Sequence, residues 1–285
     1  MKFTQFLKNG IAQLGVCASE NVIDVAAEAA RRGVSAPSTM LELIRGGDHA
    51  MQQVRDIVAG AVCFDDVSPA PVVTGSDKIL CIGLNYRQHA AECNLPIPPA
   101  PVLFNKFSNA LSADGDTVKL LPEYREYDYE AELVAVIGKV CKDVSKEDAL
   151  DYVFGYTCGN DLSTRDLQFA RGNQWILSKS LDGFAPIGPC VVTADCIDPN
   201  NLAISSRMNG ELRQNSNTSD MIFSVAEIIS DLSHHMTLMP GDLIFTGTPQ
   251  GVMHGYPADQ KNWLKPGDHV EITIEGIGTL HTKFV

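Results

Sequence analysis

No run of about 18 apolar residues occurs in the chain, which excludes a membrane-spanning helix. Basic residues are scarce: 22 Lys+Arg stand against 35 Asp+Glu, a formal net charge of −13 over 285 residues. A chain of that sign does not hold nucleic acid or an anionic membrane through bulk charge. Charged residues of both signs are only 20% while hydrophobic residues reach 45%, so the chain buries a core and is not an acidic disordered tail. Cys-x-x-Cys pairs, internal repeats and low-complexity segments are missing. The eight cysteines are scattered through apolar stretches and read as free, core-packing thiols. Met1–Phe6 carries one positive charge and lacks the apolar core of a signal peptide, which points to a cytoplasmic protein.

What is present divides in two. Residues 1–70 read as a small α+β domain: a strand over 11–16, mixed signals over 22–32, and a capping box at Thr39–Glu42. That box opens a short helix stopping at Gly46-Gly47, and a second helix follows to about Ala59. The Pro-, Ser- and Asp-rich stretch Asp65–Ser76 reads as a linker or extended arm. Residues 71–285 show short strands broken by Gly, Pro and Asp, a β-rich body. A helix is expected where Met221, Ile222, Val225, Ile228, Ile229 and Leu232 share one face.

The most informative strand is Tyr129-Glu130-Ala131-Glu132-Leu133-Val134-Ala135-Val136-Ile137. Glu130 and Glu132 are two apart, so they share a face with Cα atoms roughly 6.5–7 Å apart. Beyond them the strand is apolar in both parities, the mark of burial on both faces. Two carboxylates at the edge of a core either meet solvent or repel one another until a cation intervenes. Asp161, after the strand over 152–158 and in a Gly-Asn-Asp turn, adds a third carboxylate and shifts the balance toward a hard divalent cation. Arg165, four residues on, reads as an ion-pair partner of Asp161.

Asn85 reads as the cap of a short helix on which His89 and Glu92 are i and i+3. A histidine oriented by a carboxylate suits a general base, and a surface helix with a weak contact fits the same spacing. Lys179 is a lone lysine in an apolar run, either a surface group or a stabiliser of an oxyanion. The turn Thr246–Gly251 has the glycine content of a close backbone approach. His234 and His235 lack a trusted metal-ligand spacing and read as surface residues.

Taken in order, five stretches resemble the fumarylacetoacetate hydrolase superfamily: Gly83-Leu84-Asn85-Tyr86-Arg87-Gln88-His89-Ala90, Asp128-Tyr129-Glu130-Ala131-Glu132-Leu133, Asn160-Asp161-Leu162-Ser163-Thr164-Arg165-Asp166, Lys179-Ser180-Leu181-Asp182 and Thr246-Gly247-Thr248-Pro249. The resemblance implies a mixed β-roll catalytic domain, homodimeric, with a small N-terminal domain. It implies Mg²⁺ or Mn²⁺ on Glu130, Glu132 and Asp161, a His89–Glu92 dyad on a lid, and Lys179 stabilising an enolate. Arg165, Gln168 and Thr248, and more weakly Lys106, look like contacts to substrate oxygens. Relatives that hydrolyse fumarylacetoacetate carry a further ligand aspartate seven residues before the histidine, where this chain has Ile82. The chain thus resembles the smaller branch of acylpyruvate hydrolases, oxaloacetate decarboxylases and isomerases of ring-cleavage diacids. The leading expectation is hydrolysis of a carbon–carbon bond in a small anionic 2,4-dioxo acid. The alternative is decarboxylation of oxaloacetate or isomerisation of 2-hydroxyhepta-2,4-diene-1,7-dioate at the same site, and the weaker rival is a non-catalytic metabolite-binding protein.

Overall fold

A strand apolar on both faces needs neighbours on both edges, and every residue of Ala131–Ile137 is buried. The computed structural model describes residues 1–285 except 19, 20, 62, 64–66 and 173. The N-terminal part holds β1 (Lys2–Lys8), β2 (Ile11–Ala18), β3 (Asn21–Asp24), α1 (Val25–Arg32), α2 (Met40–Val58) and β4 (Ser68–Ala70). Then come β5 (Ile79–Gly83), α3 (Arg87–Glu92), β6 (Val102–Lys106), β7 (Leu111–Ser112) and β8 (Thr117–Val118). The central stretch holds β9 (Tyr127–Asp128), β10 (Ala131–Ile137), β11 (Val153–Asn160), β12 (Ser163–Thr164), α4 (Arg165–Ala170) and α5 (Ile176–Lys179). The chain closes with β13 (Ala185–Thr193), β14 (Ala203–Met208), β15 (Glu211–Asn217), α6 (Val225–His235), β16 (Leu243–Phe245), β17 (His269–Ile274) and β18 (Gly278–Phe284).

The large mixed sheet runs β3-β2-β1-β13-β11-β10-β16-β5-β6, with β4 on β1 and β7 on β13. A five-stranded sheet, β15-β14-β17-β18-β8, packs against β10, β11 and β13. This is the β-rich α+β roll that the strand pattern and the resemblance lead one to expect. Phe3 of β1 pairs with Val191 of β13, so the N-terminal strands extend the same sheet. Ser68–Ala70 lies extended along β1, with Ala70 opposite Gln5. Asp65 and Asp66 of the expected linker fall outside the described residues.

Side chains that cap backbone set the helix ends. Thr39 accepts from Glu42 N at 3.2 Å, but the Glu42 carboxylate turns to Ser38 N at 2.7 Å and not to the Thr39 amide. The two helices expected on either side of Gly46-Gly47 are present within α2, separated where Gly47 leaves helical geometry at φ 54°, ψ −142°. The later helix starts after Met221 and Ile222, because Ser224 and Glu227 form a reciprocal capping box that sets Val225 as its first residue. All eight cysteines are free. Among the described residues no helix is long and apolar enough to cross a membrane.

Tight pairing around the central strands has one sharp consequence. A Cβ on Gly155 would press into the Val192 carbonyl oxygen across the β11–β13 pairing. Gly155→Ala is therefore expected to destabilise the fold by about 1–3 kcal/mol, read from urea unfolding.

Candidate active site

Antiparallel register sets the site. Ala131 of β10 faces Asn160 of β11, so the residues just beyond, Glu130 and Asp161, meet at one end of the pair. Asp161 N donates to the Glu130 carbonyl at 3.0 Å. Glu132 lies one pleat along on the face of Glu130, as the period of two requires. All three side chains are buried, and each offers a ligand oxygen within 4.8 Å of the others. The solvated-strand-end reading is thereby removed.

Three buried cations converge on these acids. Lys179, at the end of α5, places Nζ 2.8 Å from Glu130 Oε2 and 2.8 Å from Asp161 Oδ2. Lys106 of β6 sits 2.6 Å from Asp161 Oδ1. Its ammonium donates to the carbonyls of Leu162, Lys179 and Phe184, which uses its three protons. Asp161 Oδ1 sits against that ammonium, so each oxygen of Asp161 faces a lysine. Arg165 does not pair with Asp161 as the spacing suggested. It begins α4, so Asp161 precedes the helix and the i, i+4 relation does not apply; its guanidinium reaches Asp128 at 2.9 Å and Glu130 at 2.5 Å.

Four buried carboxylates, Asp128, Glu130, Glu132 and Asp161, thus face three buried cations. Glu132 is the unmatched one. It accepts only Gly247 N, at 2.8 Å, and has no cation within ion-pair distance among the described residues. Burial, then Asp161 and Glu130, push its carboxyl well above the usual range. Burial also acts to raise Glu130, but Lys179 and Arg165 outweigh it and hold that carboxyl at about 2. Hard oxygen donors within 4.8 Å of one another, with the Glu132 charge uncompensated, fit a divalent ion such as Mg²⁺ or Mn²⁺.

His89 and Glu92 also lie side by side, beyond hydrogen-bond distance. His89 is buried on α3, with Nδ1 3.8 Å from Glu92 Oε2. Glu92 accepts from Gly251 N at 2.8 Å, which ties α3 to the loop after β16. Burial depresses the His89 imidazole, but contact with Cys93 and Glu92 outweighs this and raises it to about 9. Asn85 does not cap α3; Tyr86 holds the cap position without a side-chain bond. Instead Asn85 Nδ2 donates to Thr246 O at 2.7 Å and Phe223 O at 2.9 Å, and Oδ1 accepts from Phe223 N at 2.8 Å. Asn85→Ala is expected to leave these buried groups unpaired, costing about 1–3 kcal/mol in thermal unfolding and loosening α3 over the site.

A cleft of about 310 Å³ opens onto the acids. His89, Glu130, Glu132, Arg165, Gln168, Lys179 and Thr248 line it, together with an apolar wall that includes Ile82, Phe104, Phe169 and Trp175. Gln168 Oε1 accepts from Arg165 at 3.0 Å. Thr248 Oγ1 donates to Ala131 O and accepts from Gln214 Nε2 at 2.8 Å. Asp128, Gln214 and His254 join the site although the sequence reading assigns them no role; Asp128 stands two residues before Glu130, in the alternation that continues to Glu132. Asp128 accepts from Met253 N and His254 N as well as from Arg165, so it fastens the far wall to the charged floor. The period of two that joins Asp128 to Glu130 and Glu132 could have found it, whereas a lone glutamine carries no spacing signal and only the fold brings it here. His234 and His235 lie exposed at the end of α6 and bond back to Ser230 and Asp231 carbonyls.

Comparison with known proteins shows the family and the fold. The family model for the fumarylacetoacetate (FAA) hydrolase C-terminal region matches residues 78–285. A Bos taurus protein named oxaloacetate tautomerase FAHD2B, mitochondrial, is 42% identical over 254 residues, covering 87% of this chain and 80% of that protein. The solved structure of fumarylacetoacetate hydrolase from Exiguobacterium antarcticum superposes with a TM-score of 0.87 at 35% identity, covering 100% of this chain and 99% of the other. Maleylpyruvate hydrolase from Sphingobium sp. SYK-6, solved with manganese(II) and pyruvate, gives a TM-score of 0.81 at 30% identity, with coverage of 100% and 99%.

Proposed function

Because the chain belongs to the fumarylacetoacetate hydrolase family of enzymes, we propose that it interconverts the keto and enol forms of a small 2-oxo diacid such as oxaloacetate, with a divalent metal ion as cofactor. Carbon–carbon hydrolysis leads on sequence grounds alone; the tautomerase name of a relative 42% identical favours the isomerase side of the expectation. The observation that carries the reading is the unmatched Glu132 beside Glu130 and Asp161, within one cleft with His89. Glu130, Glu132 and Asp161 would hold the ion, which when bound polarises the 2-oxo group and acidifies the neighbouring C–H.

The chain's own residues do the rest. His89, oriented by Glu92, takes the proton from C3 and returns it in the reverse direction. The Lys179 ammonium supplies positive charge where the C2 oxygen becomes anionic. Arg165 and Gln168 orient a carboxylate of the diacid, and the apolar wall excludes water that would trap the enol. The remaining sequence expectations belong to the same reading: a unit boundary near residue 70, a homodimer, a cytoplasmic location, and neither nucleic acid nor membrane as partner.

Hydrolysis of an acylpyruvate is the second reading, favoured by the His89–Glu92 contact, which equally serves to activate water. One panel separates them. With Mg²⁺, enol-oxaloacetate absorbance should decay far faster than in buffer without pyruvate appearing. Pyruvate released in step with that decay would mean decarboxylation, and cleavage of acetylpyruvate at a higher kcat/KM would mean hydrolysis; either overturns the tautomerase reading.

A further inference from the structure

In the five-stranded sheet, β17 and β18 place two histidines and a glutamate side by side. Antiparallel register puts Glu271 directly opposite His281, and His269 is two residues from Glu271 on the same strand. All three are partly exposed, with side-chain exposures of 31% for His269, 30% for Glu271 and 41% for His281. His269 Nε2 and His281 Nδ1 are 3.3 Å apart, with the ring planes 5° from parallel. Glu271 Oε1 lies 3.9 Å from a nitrogen of each ring, and the three residues offer ligand atoms within 4.8 Å of one another.

We propose that His269, Glu271 and His281 form a second metal site, selective for a borderline ion such as Zn²⁺ and separate from the all-oxygen cluster. Two nitrogens each about 2.0–2.1 Å from a tetrahedral ion lie about 3.3–3.4 Å apart, the separation already present here. Imidazole suits Zn²⁺, whereas three carboxylates suit Mg²⁺ or Mn²⁺, so the two clusters sort ions by donor type. The ion would sit off the line between the two nitrogens, the rings turning so that both lone pairs reach it, and the proton of their hydrogen bond would move to the other nitrogen of its ring or to solvent. Rotation of the Glu271 side chain closes the third ligand, and water takes the open position.

The neighbours permit a cation. Arg207, opposite Glu271 on β14, directs its guanidinium to the Gly210 carbonyl at 2.9 Å. Asp114 accepts from His281 N at 2.7 Å and adds a negative charge beside the cluster. Lys283, opposite His269, is the one positive group in register on β18. Bound Zn²⁺ would cross-link β17 to β18, whose edge pairs with β8.

The test uses tag-free protein loaded with Zn²⁺, dialysed against excess Mg²⁺, and assayed for retained zinc. Wild type and Glu132→Gln should each retain about one Zn²⁺ per chain, and His281→Gln and His269→Gln almost none, with Mg²⁺-dependent activity unchanged in the two histidine variants. Zn²⁺ should also raise Tm in wild type and not in His281→Gln. Equal zinc in wild type and both histidine variants, or no zinc retained by wild type, would overturn the proposal. Because Glu132→Gln removes the catalytic cluster and leaves this one, loss of the proposed activity and loss of the second site are read separately.

Discussion

Glu132→Gln is expected to move activity and stability in opposite directions. The amide cannot serve as an anionic ligand, so kcat/KM at limiting Mg²⁺ should fall at least about 100-fold, more than the loss from disturbing an outer-shell partner. Yet in metal-stripped protein the variant should be more stable than wild type by about 1–3 kcal/mol at neutral pH, because it removes the one carboxylate of the buried cluster that has no cation among the described residues. The sign follows from linkage. A carboxyl whose pKa is raised by folding opposes folding once pH exceeds its unfolded value, and the opposition grows until the folded group itself ionises. Mg²⁺ should stabilise wild type and leave Glu132→Gln unmoved. Urea unfolding with and without Mg²⁺ checks all three statements, and a variant less stable than wild type in the stripped state would remove the idea of an unmatched charge.

His89→Ala should cost about 10²–10⁴ in kcat while leaving metal affinity nearly intact, since the imidazole touches none of the three acids within hydrogen-bond range. Its pH signature is specific. A base must be neutral, so activity rises with pH through the His89 pKa. That pKa is raised to about 9 by Cys93 and Glu92 against the lowering by burial, and a nearby divalent cation repels the imidazolium and brings it down. The acid limb of the metal-loaded enzyme should therefore lie below pH 9, move upward as Mg²⁺ is withdrawn, and vanish in His89→Ala. A limb that survives the substitution assigns the base to another group.

Residues of the site differ in how legible they are from sequence. Glu130 and Glu132 stand out because they interrupt a stretch apolar in both parities, and such a strand has nowhere to sit but the centre of a sheet. Asp161 is legible as the end of the neighbouring strand. The partner of Arg165 is not, because spacing assumes a continuous helix and α4 begins at Arg165 itself. Asn85 has the composition of a cap, but Thr246 and Phe223, more than 100 residues away, take all its bonds. Asp128 continues the two-residue alternation of Glu130 and Glu132 and Gln214 carries no local pattern, and the pairing of β9 with β12 decides that Asp128 meets Arg165. Lys106 is a weak candidate from its motif, and the fold buries its ammonium beside Asp161 among three backbone carbonyls, a setting that no local spacing announces.

A crystal grown with Mn²⁺ and oxalate, measured for anomalous scattering, addresses the central claim directly. The expected result is one strong manganese peak within about 2.0–2.3 Å of an oxygen from each of Glu130, Glu132 and Asp161, with oxalate on the cleft side facing His89. Manganese absent from that position, with Lys179 still joining Glu130 to Asp161 at full occupancy, would contradict it.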